Sequence, residues 1–363
     1  MFNLTGSPNG YVNNSEIQPL TNRTEEQVGT TATAWFVFSI TCCIIGTGLL
    51  MLLLLTSFHV KRLHSGSNVL VVHIMLIELI ICGIGFPMTL ITTYRSLTGF
   101  HVQINCNISE LFFVTTINTE FWASLSLAIN RFVALALPHS YQRIISKAVL
   151  TVMIFVPWVL GLSLNLPLYF GIGGRFFLQT VPFETCTTDL VPSGYGNAWV
   201  ALAIFLPIGL IGLIYVVLGM GWIARKFWRR NALVAPIAPA SRRGNIAVNA
   251  RRALLVRMLV VTYLWHCLCF LPPPILLSSF PWLVVRYPTL VVLWLLKTVL
   301  LCGYIVSPFI FLALNSDYQK GVKSLLNIRP GGMHEARSRP STRRFRIPNI
   351  NIAVVSALVS SRK

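Results

Sequence analysis

Seven blocks of apolar residues, each near the roughly 20 residues that a helix needs to cross a bilayer, constrain this chain more than any other feature. Hydrophobic residues make up 55% of the sequence and charged residues only 11%, whereas about a quarter of the residues in a soluble protein are charged. Each block must be helical, because unpaired backbone groups in hydrocarbon are too costly. We therefore predict an all-α membrane protein, a seven-transmembrane helix bundle with spans at Trp35–Phe58, Val69–Thr92, Ser109–Leu135, Ala148–Tyr169, Tyr195–Ala224, Ala253–Leu277 and Thr289–Leu314.

The basic residues predict how the bundle is oriented. The formal net charge of +19 is a value that nucleic-acid-binding proteins also show. If the seven blocks are spans, however, 24 of the 29 Lys and Arg residues fall on one side and 5 on or near the other. Short cytoplasmic loops collect basic residues. We therefore expect a multi-pass plasma-membrane protein in a lipid bilayer, with the N-terminus outside and the C-terminus inside, and no nucleic-acid partner.

The segment before the first span is polar. Residues 1–34 contain Asn-x-Ser/Thr sequons at Asn3, Asn13 and Asn22. Three sequons in one short tail that the charge rule places outside the cell predict a glycosylated extracellular tail. The transmembrane domain then occupies residues 35–314.

The segment after the last span divides into two parts. Residues 315–328 are predicted to form an amphipathic surface helix, and residues 329–363 are basic and rich in Pro, Ser and Gly, which is typical of a disordered cytoplasmic tail. The helix would lie on the inner membrane surface with its basic residues off the apolar face. The residues of that apolar face are Tyr318, Val322, Leu325 and Leu326.

Short motifs occur in the spans in a fixed order. In the second span Glu78 follows Asn68 by ten positions. In the third, Cys106 lies 25 residues before Arg131, so a helix would separate the two by roughly 37 Å, one at each membrane face. Further motif residues are Trp158, Pro207, Tyr215, Cys269-Phe270-Leu271-Pro272 and Ser307-Pro308-Phe309-Ile310-Phe311.

In their order and spacing, these motifs resemble those of the rhodopsin-like family of G-protein-coupled receptors over about residues 35 to 326. The resemblance implies a receptor that transmits an extracellular signal to heterotrimeric G proteins. It also implies that the sixth helix swings outward near Pro272 and opens a cytoplasmic cavity that Arg131 faces. No subfamily is indicated.

Several switch positions depart from the family pattern. The family's Asp-Arg-Tyr reads Asn130-Arg131-Phe132, and Arg252 stands where many members have an acid. The two acids that hold the arginine inactive are therefore missing, and we expect high basal signalling. Phe311 replaces the family's tyrosine and loses a hydroxyl link to Tyr215, which acts in the opposite direction. A receptor-fold protein with little ligand-driven signalling is therefore the alternative.

The cysteines fit the same resemblance. Cys106 and Cys186 are the only two that fall outside the predicted spans. An oxidising exterior favours a disulfide between them, which would tie the second extracellular loop to the third helix. Two free thiols are the alternative.

Two acids are predicted to lie together inside the bundle. The resemblance places Glu78 of the second span opposite Glu120 of the third, with His266 where the family has a core phenylalanine. Ionisable groups inside a membrane are costly and are functional candidates. Two close carboxyls do not ionise together easily, so we expect a shared proton or a sodium ion. A neutral, hydrogen-bonded core without an ion is the alternative.

The predicted ligand pocket is largely apolar. Phe113 stands where aminergic receptors place the aspartate that binds the ligand's ammonium group, so a biogenic amine is excluded as the ligand. A cavity lined by Phe113, Ile117, Phe270 and Lys297 would suit a lipid, a carboxylate or a peptide terminus. Alternatively, Lys297 snorkels or pairs with a loop acid, Glu184 or Asp189.

Other protein classes fit less well. An opsin would need its retinal-binding lysine where Leu301 stands, about one turn from Lys297. A membrane transporter remains an alternative, although such proteins usually show internal repeats. We expect no enzymatic activity, because the sequence shows no Ser-His-Asp, metal or phosphate-loop signature.

Overall fold

The computed structural model describes residues 18–59, 68–98, 105–137, 140–179, 185–191, 194–231, 260–287 and 289–326. Eight helices dominate these ranges. They are α1 (Gln18–His59), α2 (Asn68–Leu97), α3 (Cys106–Ala136), α4 (Lys147–Tyr169), α5 (residues 195–231), α6 (Val260–Leu277), α7 (Thr289–Leu314) and α8 (Ser316–Leu325). Each of α1 to α7 overlaps one predicted span, and the seven-helix prediction is confirmed.

Some predicted features lie outside the described residues. These are Asn3, Asn13, Arg252 and the tail 329–363. Asn22 lies within α1, where the structure describes its backbone but not its side chain. α1 begins at Gln18, before the predicted start of the first span near Trp35, so helical structure extends into the polar segment that precedes the span. Polar residues 18–34 gave no membrane signal, although Pro19 suits the first turn of a helix.

α3 occupies the centre of the bundle. The other six long helices are apolar enough to be recognised as membrane spans by composition alone, whereas α3 carries Glu110, Glu120 and Arg131. It packs against α2, α4 and α5, and Glu110, Asn118, Glu120 and Asn130 are buried. Because polar side chains inside a membrane face the protein interior, the central position of α3 accounts for its composition.

α3 and α4 cross closely at a glycine. A Cβ atom at Gly161 would collide with the Thr119 hydroxyl and would lie 3.0 Å from the Thr115 carbonyl oxygen. One turn further along α4, Asn165 donates a 2.7 Å hydrogen bond to the Gly161 carbonyl and accepts one of 3.2 Å from the Trp199 indole of α5. Small residues allow such close helix contact in membranes, so this crossing fixes α4 and α5 against α3.

A β-hairpin follows α4, in the segment predicted to be the second extracellular loop. Strands β1 (Gly174–Gln179) and β2 (Thr185–Leu190) are antiparallel, and Cys186 faces Leu178 across the pair. Gly173, just before β1, has a φ of +74°, and a Cβ there would lie 2.6 Å from Tyr195. Only glycine adopts that conformation readily, so Gly173 makes the sharp turn into the hairpin.

α8 is anchored to the bundle by Tyr318. This side chain is buried, its hydroxyl lies 2.8 Å from the Ser57 hydroxyl of α1, and its ring packs edge-on against Phe311 of α7. Burial raises the pKa of the Tyr318 phenol, so the hydroxyl stays protonated near neutral pH. Lys320 and Lys323 are exposed, as the predicted amphipathic helix requires.

Candidate functional site: a buried carboxylate–imidazole cluster

The structure brings three ionisable side chains together in the core. Glu78 of α2, Glu120 of α3 and His266 of α6 each present one ligand atom, and these atoms lie within 4.8 Å of one another. Glu120 is 0% exposed and Glu78 is 3% exposed. A π-helical turn, Ile81–Gly85, follows Glu78 within α2, and such turns frequently occur at functional sites.

Two serines bind the carboxylates. Ser307 of α7 donates a 3.0 Å hydrogen bond to Glu78 Oε1, and Ser124 of α3 donates one of 2.8 Å to Glu120 Oε1. Within the described part of the chain, Glu120 Oε2 and His266 Nε2 are buried without a hydrogen-bond partner. An unpaired buried polar atom costs about 1–3 kcal/mol, so both atoms are available to bind a proton, an ion or water.

A cavity opens beside the cluster. Its volume is about 90 Å³, which is room for a few water molecules at about 30 Å³ each. Glu78, His266 and Ser307 line it at the cluster, and Tyr215 and Phe311 line it further on. Glu78 of the predicted acid pair thus shares one cavity with four of the predicted switch residues, Tyr215, Ser307, Pro308 and Phe311.

Aromatic rings connect this cavity to the other end of the bundle. Phe270 packs edge-on against His266 at 5.2 Å and Tyr304 at 5.0 Å between ring centroids. Phe86 lies 5.7 Å from Tyr304 and 5.4 Å from Phe113. Phe113 and Phe270, both predicted pocket residues, are therefore linked through intervening rings, and of the predicted pocket residues only Phe270 lines the described cavity.

Lys297 lies apart from those rings, beneath the β-hairpin. Its ammonium donates hydrogen bonds to Thr93 of α2 and, at 3.0 Å, to Thr185 of β2. Glu110 of α3 lies close enough for its carboxylate to interact electrostatically with this ammonium. Lys297 thus joins α7, α2 and the hairpin.

The predicted pairing of Lys297 with a loop acid is wrong for Asp189. That carboxylate lies 4.0 Å from Arg175, and both side chains are more than half exposed, so the contact contributes little. Glu184 lies outside the residues that the structure describes. Ile117 is half-buried against the main core.

The disulfide is present. Cys106 and Cys186 are bonded, with their Cα atoms 5.3 Å apart. The bond attaches β2 to the first turn of α3. The hairpin is therefore held to α3 by a covalent bond and to α7 by the Lys297–Thr185 hydrogen bond.

The opposite end of α3 carries the predicted switch residues. Asn130 accepts a 3.2 Å hydrogen bond from Tyr141, and its Nδ2 atom, like Arg131 Nε, has no hydrogen-bond partner among the described residues. Tyr215 packs edge-on against Tyr263. Phe132 is half-buried and Pro308 is buried. The structure therefore places no acid beside Arg131 within the ranges that it describes.

This fold and this arrangement of residues define a seven-helix receptor of the rhodopsin type. The sequence model of the "7 transmembrane receptor (rhodopsin family)" matches residues 49–310. The chain belongs to that family, which consists of receptors rather than enzymes.

Curated relatives and a solved structure agree with this family assignment. The chain is 25% identical over 200 residues to a "Rhodopsin, GQ-coupled" from Mizuhopecten yessoensis, covering 53% of this chain and 38% of that protein. It is 30% identical over 115 residues to the "D(2) dopamine receptor A" of Xenopus laevis, covering 31% of this chain and 25% of that receptor. The matched segments thus span well under two thirds of either relative. The crystal structure of squid rhodopsin aligns with a TM-score of 0.67 at 16% identity, covering 81% of this chain and 80% of that one.

Two residues of the cluster were missed at the sequence level. Ser124 stands four positions after Glu120, a spacing at which helix side chains meet, so it could have been predicted. Tyr304 is fully buried, and its hydroxyl has no hydrogen-bond partner in the described ranges. Its electrostatic interaction with Glu120 and Glu78 depends on the packing of α7 and had no sequence signal.

Proposed function

We propose that this protein is a G-protein-coupled receptor that carries an extracellular signal to heterotrimeric G proteins through the Arg131 end of the bundle. The observation that carries the proposal is the position of Arg131. It lies at the end of α3 opposite the disulfide, within electrostatic range of Tyr141, Tyr215 and Tyr318. A disulfide belongs in an oxidising compartment, so the hairpin end faces outside, in agreement with the charge asymmetry.

A second-messenger assay in transfected cells tests coupling. The wild-type receptor should change cyclic AMP, inositol phosphate or calcium levels, and Arg131→Ala at matched surface level should not. Equal signals from the two would refute the assigned role of Arg131. Orientation is tested separately by glycosidase treatment, which should shift the mobility of the wild type but not that of a receptor with Asn3, Asn13 and Asn22 all changed to Gln.

The proposal includes high basal activity. Without an acid at position 130, Arg131 lacks a constraint that would exist only in the inactive state, so the population shifts toward the active state. The alternative, a receptor with little ligand-driven signalling, is supported by Phe311, whose ring packs against Tyr318 and which has no hydroxyl to reach Tyr215. The wild-type signal without ligand, compared with that of untransfected cells, separates the two.

We propose a ligand with an apolar body and a carboxylate. Phe113 packs against Phe86 and offers no acid to an amine, whereas Lys297 offers an ammonium whose hydrogen bonds go to threonine hydroxyls. A ligand carboxylate would give this ammonium a hydrogen-bonded ion pair, which is stronger than its bonds to neutral hydroxyls. A panel of fatty acids and peptides, with the matched amides and methyl esters as controls, should activate only through free acids, and Lys297→Met should abolish the response.

We also propose that Glu78 and Glu120 share a proton or a sodium ion. Their closeness supports this, because two carboxylates in a low-dielectric core repel each other. Sodium should raise the melting temperature of the purified receptor, and Glu120→Gln should remove the increase. A sodium response that survives in Glu120→Gln would contradict a shared site.

A further inference from the structure

The nitrogen in the acid cluster distinguishes it from an all-oxygen cation site. His266 comes from α6, whereas the two carboxylates come from α2 and α3. Its Nε2 atom and Glu120 Oε2 are both buried without a hydrogen-bond partner among the described residues. Two buried atoms without a hydrogen-bond partner therefore belong to residues of one cluster and come from different helices.

The chemistry of the three ligands selects one class of ion. Hard cations prefer oxygen ligands, and an imidazole nitrogen adds little for them. Imidazole and carboxylate groups together bind Zn²⁺ in many proteins. In catalytic zinc sites, three protein ligands hold the ion and the fourth position is left open for water or substrate. The cavity beside Glu78 and His266 has room for a water molecule in that fourth position.

Charge favours a divalent ion. If both glutamates are ionised, a proton or a sodium ion leaves one net negative charge in the core, whereas a divalent ion leaves none. Uncompensated charge inside a membrane protein is costly. A doubly charged ion is therefore a better complement to two ionised glutamates than the single proton or sodium ion proposed above, with which it would compete for Glu78 and Glu120.

The geometry is compatible with a metal. Ligand atoms of a tetrahedral zinc ion lie about 3.4 Å apart, given bonds of about 2.1 Å. The three ligand atoms here lie within 4.8 Å of one another. Side-chain movements of roughly an ångström would therefore bring them to the spacing that a zinc ion requires. Ser124 and Ser307 already orient the carboxylates through hydrogen bonds. In metal sites, residues that hydrogen-bond to the metal ligands orient them in the same way.

We propose that Glu78, Glu120 and His266 form a binding site for a divalent transition-metal ion, with Zn²⁺ as the ion that the ligand set fits best. The ion joins α6 to α2 and α3 in the core of the bundle. Since ligation requires the three helices to keep this arrangement, the ion stabilises the conformation described here over any in which α6 has moved.

The test measures binding and stability and does not depend on signalling, so it can fail or succeed independently of the proposed receptor function. Purified full-length receptor in nanodiscs is dialysed against ⁶⁵Zn²⁺, and its melting temperature is recorded with Zn²⁺, with Na⁺ and with EDTA. We expect one equivalent of zinc above any surface binding and a higher melting temperature with zinc. His266→Phe should keep the edge-on packing against Phe270 and lose zinc affinity on the order of tenfold or more.

A matched control is available in a second buried histidine. His73 of α2 accepts a 2.9 Å hydrogen bond from the Trp158 indole and is not in the cluster, so His73→Gln should retain the zinc response. Glu120→Gln is a second test variant in case His266→Phe folds poorly, and it should also lose the bound equivalent. Equal zinc binding by wild type, His266→Phe and Glu120→Gln would overturn the proposal, as would a melting temperature that responds to sodium but not to zinc.

Discussion

Replacing Asn130 by Asp should lower the basal signal. Asn130 is fully buried, and its Oδ1 atom accepts the Tyr141 hydrogen bond while Nδ2 has no partner among the described residues. An aspartate keeps the acceptor for Tyr141 and places an oxygen where the unpaired nitrogen stood, so no hydrogen bond is lost. Arg131 Nε is also unpaired within those ranges, and we expect it to donate a hydrogen bond to the new carboxylate.

The magnitude follows from the kind of bond that forms. A hydrogen bond to a charged group contributes about 1.5–3 kcal/mol. If that bond exists only while Arg131 is held inactive, the inactive population rises roughly tenfold for each 1.4 kcal/mol. Basal second-messenger output should therefore fall by about tenfold or more.

The assay compares variants at equal surface staining. Asn130→Ala is the control, because it removes the amide without adding a charge. It should not produce the tenfold fall in basal signal. Adding Arg252→Glu to Asn130→Asp should lower the signal further by supplying the second acid. An Asn130→Asp receptor that signals as strongly as the wild type would refute the reasoning.

Three further predictions concern folding. Cys186→Ala should sharply reduce surface expression, measured by antibody staining of intact cells, because the hairpin loses a tether that contributes about 2–4 kcal/mol. Gly161→Val should lower the melting temperature by several degrees, since its side chain would overlap Thr119. Gly171 has a φ of +77° and open space around it, so Gly171→Ala measures the cost of backbone strain without a steric overlap. Tyr318→Phe should destabilise the purified receptor by about 1 kcal/mol by removing the bond to Ser57.

Each of these has an outcome that would contradict it. Undiminished staining of Cys186→Ala, insensitive to reductant, would show that the tether is dispensable. A Gly161→Val receptor with the wild-type melting temperature would show that α3 and α4 can separate without cost. For the α8 contact, adding Tyr318→Phe to Ser57→Ala should cause no further loss of stability. Fully additive losses of stability would mean that the two hydroxyls do not interact.

The parts predicted correctly are those with a local signal. A mainly apolar run, interrupted by Lys297, gave α7 the bounds Thr289–Leu314 that the structure shows. The closeness of Glu78 and Glu120 came from the register of two helices relative to family motifs, and the structure brings them together. The assigned roles of these residues stay predictions.

The parts that were missed depend on contacts between distant segments. β1 and β2 are short and joined by an intervening segment, and nothing in their composition distinguishes them from a loop. The partners of Lys297 are two threonines, on α2 and β2, more than a hundred residues away along the chain. No helical periodicity could identify them, because they are set by how the hairpin packs between α3 and α7.

The attachment of β2 has a kinetic consequence. Thr185 is bonded to Lys297 of α7, and the next residue, Cys186, is bonded to Cys106 of α3, so the strand spans the gap between these helices at one end of the bundle. We expect a molecule entering from that face to pass around the strand or to break the Thr185 contact, which would slow both its arrival and its departure. Slow exchange lengthens the time that a bound molecule stays. We therefore expect the duration of a response to depend on this entrance as much as on the groups that hold the bound molecule inside.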